Sequence, residues 1–416
     1  MGQWPVLESP SDAALLGRAN GPSYVILAGM NSTSAIVLVI DRLGAAYLGP
    51  YGNTWLETAG FNRLASESLV CEQMLAASPD LATTYRHYWF GEPAGEQSLP
   101  ALARSAGCRA ILLTDGETIA TALGSSDFDE IQLIKADKQT ASPADDVADT
   151  AFIKLMEAAA ELVAAWRDAS QPQLLWIHAR GMNGPWDAPQ DLREQFADDD
   201  DPTPSSTVTP PHEMLAEDHD PDQVLSLTHA YAGQVFVVDL GLQALLAAID
   251  ELPQRDSLTF AVASPRGFPL GEHLRLGECD QSLYGELLHV PALIRFPNRE
   301  GALIRTQELV QPSDLFATLT DAKRSLLRLV REEGFLSREF IQTSGPEQRL
   351  IRTAAWQLRA VRDGEEEICE LYAKPDDRHE FNDVASRAPQ IVGQLVELLN
   401  RPTTEDLPEE LVSMWR

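Results

Sequence analysis

Four polar residues stand at the ends of short apolar runs. Asp41 follows the run 35–40, Asp115 follows 110–114, His178 follows 174–177, and Ser264 follows 258–263. Carboxylates hold hard cations, whereas histidine and serine serve in proton transfer and nucleophilic attack. The first run, Ala-Ile-Val-Leu-Val-Ile, is rich in β-branched residues and has no polar alternation. Such a run reads as a strand buried on both faces of a parallel sheet. Ligands of parallel sheets bind beyond the carboxyl ends of the strands. Position alone therefore selects these four residues.

The elements that would place them alternate along the chain. A fifth apolar run covers 290–296. Helical patterns are expected at 62–73, 100–106, 146–166 and 228–252. Strands alternating with helices imply a mostly parallel sheet covered on both faces, an α/β domain over 1–335. The acidic, Pro/Ser/Thr-containing stretch 196–211 reads as an exposed, mobile loop. After a boundary at 343–349, short strands at 350–359 and 366–371 flank a turn at Asp363-Gly364, and a helix over 388–400 follows. These make 336–416 a small antiparallel subdomain.

Composition narrows the function classes. The chain has 416 residues, with 63 Asp plus Glu against 32 Lys plus Arg, a net charge of −31. That surface repels nucleic acid and anionic membranes. Cys71, Cys108, Cys279 and Cys369 are far apart, without metal or redox spacing, so buried reduced thiols are expected. The start Met1-Gly2-Gln3-Trp4-Pro5 shows no signal-peptide pattern, and no run of about 18 uncharged apolar residues is evident. A cytoplasmic location is the expectation.

Ordered motifs add a family. Val37-Leu38-Val39-Ile40-Asp41-Arg42-Leu43 with Leu48-Gly49-Pro50-Tyr51-Gly52-Asn53 resembles the first signature of the sulfatases, in the alkaline-phosphatase-like superfamily. Asn62-Arg63-Leu64-Ala65 resembles the helix after it. Similar matches are Leu175-Trp176-Ile177-His178 up to Pro185-Trp186-Asp187-Ala188-Pro189, then Ser264-Pro265-Arg266-Gly267 with Leu270-Gly271-Glu272-His273. Ser282-Leu283-Tyr284-Gly285-Glu286, Ser313-Asp314-Leu315-Phe316, Arg352-Thr353 and Glu370-Leu371-Tyr372 follow in order.

The resemblance implies an ester hydrolase whose Cys or Ser, in a Cys/Ser-x-Pro-x-Arg motif, becomes formylglycine. It also implies a divalent cation, usually calcium, held by carboxylates. This sequence departs from that pattern at nearly every such position. Arg42 stands where a second aspartate is expected. The nearest nucleophile motif is Ala77-Ser78-Pro79-Asp80-Leu81, with alanine in the reactive place and Ser78 one residue off. Pro265 and Arg266 replace two further ligands, Asn183 replaces a histidine, and Asp280 lies where a lysine is expected.

A calcium ion beside two guanidiniums, with Asp41 alone to hold it, is not expected. No metal and no cofactor are expected. Asp41 reads as an ion-pair partner of Arg42 or Arg266, with Asp80, Asp115 or Asp280 reaching in. His178 reads as a structural histidine, and His273 as a residue that shapes its loop. The aromatic stretch 85–89 suits either the mouth of the cleft or ordinary packing. The expected function is a catalytically inactive sulfatase homologue with a binding or assembly role. Two alternatives stay open: a metal-independent hydrolase using Ser78 or His178, and a regulator that binds a sulfate-like anion at Arg42 and Arg266.

Overall fold

The computed structural model describes residues 33–135, 142–364 and 366–401. Residues 1–32, on which the signal-peptide expectation falls, lie outside the described residues, as do residues 402–416. The strands are β1 (Ala35–Ile40), β2 (Leu69–Leu75), β3 (Arg109–Thr114), β4 (Glu130–Leu133), β5 (Gln173–Ala179), β6 (Glu213–Met214) and β7 (Thr259–Ala263). They continue as β8 (Arg275–Leu276), β9 (His289–Arg295), β10 (Arg305–Val310), β11 (Phe340–Ser344), β12 (Gln348–Thr353), β13 (Trp356–Asp363) and β14 (Glu366–Ala373). Eight form one sheet in the order β10-β2-β9-β7-β1-β5-β3-β4. Every pairing in it is parallel except the two made by β9. Strands β11 to β14 form a separate antiparallel sheet, with the helix Pro389–Leu399 packed on it.

The apolar run of β1 feeds two cores. Ile36, Leu38 and Ile40 enter one of them, with the helices Ala151–Ala164 and Pro221–Asp250. Ala35, Val37 and Val39 enter the other, with Tyr85, Tyr88 and Trp89 of the helix Leu81–Phe90. Alternate side chains of a strand point to opposite faces, so a strand covered on both sides has no polar position to spare.

Helix Pro221–Asp250 has length and hydropathy sufficient to cross a membrane. Here it packs in the core, with Tyr231, Val235, Val238, Leu242 and Leu246 buried. Asp239 on this helix accepts the amides of Gly60 and Phe61, both at 2.9 Å, and so caps the helix Ala59–Ser66 from outside it. That cap satisfies two amides that have no partner within their own helix.

Three sequence expectations are corrected. The helix over 62–73 ends at Ser66, and Leu69–Leu75 is strand β2, held by β9 and β10. The single strand over 350–359 is two, β12 and β13, paired with each other. The stretch 196–211 is pinned rather than loose. The buried Arg193 side chain donates to the carbonyls of Trp186, Ala188, Ser205 and Thr207. Of the cysteines, Cys71 and Cys108 are buried, whereas Cys279 and Cys369 are half-buried.

Candidate functional site

The register of the sheet brings the strand ends level. Val39 of β1 lies beside His178 of β5 on one side and Ala263 of β7 on the other. Asp41 and the segment Ser264-Pro265-Arg266 therefore emerge together. The Asp41 amide donates to the Ala179 carbonyl at 2.9 Å, and the Asp41 carbonyl accepts from Met182 at 2.9 Å. Gly181 makes this approach possible. A Cβ there would sit 2.5 Å from Ile40 Cγ2 and 3.1 Å from the Asp41 carbonyl oxygen, at a φ of +52°.

Arg266 spans Asp41. Its Nε donates to Oδ1 at 2.9 Å and its Nη2 to Oδ2 at 3.0 Å, while Nη1 donates to the Pro79 carbonyl at 3.1 Å. Asp41 is 1% exposed and Arg266 6%. A two-point guanidinium–carboxylate pair takes both oxygens of the acid. Arg42, fully buried, turns the other way. Its backbone has φ +66°, in the left-handed region, with its carbonyl accepting from Tyr231 Oη at 2.8 Å. Its Nη2 donates to Glu278, and Glu278 also accepts from Arg266 Nη1 at 3.3 Å. Two carboxylates and two guanidiniums thus form one electrically neutral cluster.

Burial would raise the Asp41 pKa, but Arg266 and then Arg42 outweigh it and hold the acid below its ordinary value. Burial pushes Arg42 down to about 10, with Arg266 beside it adding to the shift. Burial lowers Arg266 too, but the charge and hydrogen bonds of Asp41 leave it raised. All three are charged at neutral pH.

Other candidate residues fall around this cluster. Ala77 is buried just before the helix Leu81–Phe90. Ser78 Oγ accepts the Asp80 amide at 3.1 Å and has no hydrogen bond to a histidine or carboxylate among the described residues. Pro265 is buried and offers no donor or acceptor on its side chain. Asn183 is half-buried on the short helix Gly181–Asn183.

His178 is buried and shares a 2.6 Å hydrogen bond through Nδ1 with the Tyr85 hydroxyl. Burial pushes its pKa down to about 4, despite the attraction of Asp41. The aromatic stretch 85–89 is thus core packing, with Tyr85 also serving His178. His273 stacks on Tyr284 at 3.7 Å between ring centroids, and Arg359 lies over the same ring at 3.9 Å. It belongs to the seam with the second sheet.

None of the carboxylates expected to reach in forms an ion pair with Arg42 or Arg266, although the charge of Asp80 is felt at Arg266. Asp280 is bound to Arg275 by both oxygens, at 2.6 to 3.0 Å. Asp115 accepts the Arg180 amide at 2.7 Å, and Asp80 caps its own helix through Thr83 N at 2.7 Å. Glu278 takes the place they were expected to fill. It was missed because it sits on a loop more than 200 positions from Arg42, outside every recognised motif.

Among the described residues no group of three or more His, Cys, Asp or Glu side chains converges as metal ligands. Both oxygens of Asp41 and Oε2 of Glu278 already face guanidinium hydrogens. A hard cation needs six to eight oxygens free of such donors, so the residues present do not fit one. The space left between Arg42, Pro79, Glu278 and Gln281 is about 10 Å³. One water needs roughly 10–15 Å³ on the same measure, so that space holds no more than a single water.

Residues 34–323 match the sulfatase family model. The chain belongs to the sulfatase family. No curated protein matches it. Solved structures resemble it across most of their length and most of its own. The phosphonate monoester hydrolase of Agrobacterium radiobacter has a TM-score of 0.70 at 15% identity, covering 88% of this chain and 95% of that one. A protein solved with its substrate D-glucosamine-2-N,6-O-disulfate has 0.69 at 15%, covering 90% and 100%. A 2-O GAG sulfatase has 0.66 at 15%, covering 89% and 91%. At such identities the likeness concerns fold, and the fold is that of the sulfatases and alkaline phosphatases. In sulfatase terms, the ion-pair cluster stands where the first signature and the Ser264–Gly267 motif meet.

Proposed function

We propose that this sulfatase-family chain does not hydrolyse esters and acts by binding or assembly. The observation that carries this reading is the grip of Arg266 on both oxygens of Asp41. It removes the one carboxylate that survives from the first signature. With Ala77 in the nucleophile position there is no side-chain heteroatom to oxidise, and guanidiniums donate hydrogen bonds without acting as Lewis acids.

The alternative of a metal-independent hydrolase draws no support from the geometry. A serine nucleophile needs a base within hydrogen-bond reach, yet Ser78 bonds a backbone amide and His178 bonds Tyr85. An anion site at Arg42 and Arg266 is disfavoured for a related reason: Asp41 and Glu278 already neutralise both.

The experiment is a calcium and magnesium titration followed by melting temperature, with peptide mass analysis over 77–80. A ligand that binds only the folded state raises the melting point. The expected result is an unchanged melting point and the unmodified peptide mass. A rise that saturates with metal and is lost in Asp41→Asn, or a mass change at Ser78, would overturn the reading.

A further inference from the structure

A second cavity, of about 210 Å³, lies where β2, β9 and β10 meet the second sheet. It shares no lining residue with the small space at Arg42. Its size is an order of magnitude above what one water needs, roughly 10–15 Å³. Four cations line it: Arg305, Arg352, Lys374 and Arg378. Two are matched within it, Arg305 by Glu72 at 2.6 Å and Lys374 by Glu380 at 2.6 Å.

The other two are not matched. Arg352 is 4% exposed and donates only to neutral acceptors, the carbonyls of Thr353 and Ala354 and the amide oxygen of Gln73. Arg378 is exposed at the rim. Among the described residues neither has a carboxylate within ion-pair distance. Burial depresses Arg352 to about 10 and His289 to about 4, so the arginine stays charged at pH 7 and the histidine adds no charge. The wall therefore carries a surplus of two positive charges, in a chain whose net charge is −31.

An independent observation points to the same place. Gln357, 3% exposed and on the cavity wall, has an Nε2 with no acceptor. A buried amide donor left unbonded costs about 1–3 kcal/mol, and this one lies on the wall of the cavity beside the unmatched Arg352. An oxyanion accepts from a guanidinium and an amide N–H together, and shape and charge then agree.

We infer that the cavity between the main and second sheets is a binding site for an oxyanion, a phosphate or sulfate group either free or carried as a monoester. Arg352 and Gln357 hold it from below, and Arg378 closes on it from the rim. The inference stands apart from whether the Asp41 cluster turns over any ester. A binding role for the chain would have its ligand here rather than at the filled cleft.

The test uses the whole chain, with calorimetry and melting curves. The probes are inorganic phosphate, inorganic sulfate, glucose 6-phosphate and glucose 6-sulfate, against potassium chloride at equal ionic strength. The expected result is saturable binding of at least one probe, weakened by about tenfold or more in both Arg378→Ala and Gln357→Leu. Tighter binding of a sugar ester than of its free oxyanion would assign the site to a monoester, and the reverse order to the free ion. Melting in chloride alone reports whether each variant is folded. Arg378 is at the surface, so at least that variant keeps its fold. No saturable binding by any probe, or binding equal in wild type and Arg378→Ala, would overturn the inference.

Discussion

Arg266 and Asp41 meet through two parallel hydrogen bonds, Nε to Oδ1 at 2.9 Å and Nη2 to Oδ2 at 3.0 Å, both residues buried. Taking away the acid leaves the guanidinium charged in the interior. Asp41→Ala should destabilise the chain by about 3–5 kcal/mol. Replacing both partners by apolar residues, Asp41→Leu with Arg266→Met, should recover much of that loss. Denaturant titrations of the two single variants and the double variant check this. Additive losses would show that the two groups are not coupled.

Glu278 bridges Arg42 and Arg266. Glu278→Ala leaves those guanidiniums without their shared partner, and Asp41, bonded to Arg266, as the one carboxylate of the cluster. The expected loss is about 1–3 kcal/mol, and added sulfate should restore part of it by taking the vacant place. In the wild type the same place is filled. A melting-temperature series in sulfate against chloride, on Glu278→Ala carrying Arg378→Ala to silence the second cavity, checks this. A variant as stable as the wild type, or one indifferent to sulfate, would contradict the neutral-cluster account.

His178 makes stability depend on pH. Its pKa is about 4 in the folded chain against an ordinary 6.5. The unfolded chain therefore takes up the proton first as pH falls. The full contribution of neutral His178 is present above pH 6.5 and is lost progressively down to pH 4, about 3 kcal/mol in all. Asp41, depressed below 3.8, keeps its contribution until the pH falls past that value. Unfolding free energies of wild type and His178→Gln across pH 4 to 7 should show a shallower decline in the variant. Parallel curves would mean that His178 is not the titrating group.

The sequence made the strand ends legible because both faces of β1, β5 and β7 are buried. Continuous apolar runs then stop where the sheet stops, and the polar residue after each run marks the site. Strand β2 was harder to read. Leu69, Val70, Cys71, Met74 and Leu75 repeat at a spacing compatible with a helix, and Glu72 and Gln73 favour one. Only the pairing with β9 and β10 decides the matter, and that pairing is long-range. Local pattern was equally silent on Glu278, whose role depends on where a loop returns to the sheet. Arg42 was readable as a substitution, but its left-handed backbone and its turn away from Asp41 were not.

The most direct measurement is turnover of aryl sulfate, aryl phosphate and aryl phosphonate monoesters by the purified chain, with and without calcium, magnesium, manganese or zinc. The account predicts release of the aryl alcohol no faster than in buffer under every condition, and no difference between wild type and Asp41→Asn. Saturable turnover that disappears in Asp41→Asn or in Ser78→Ala would contradict it.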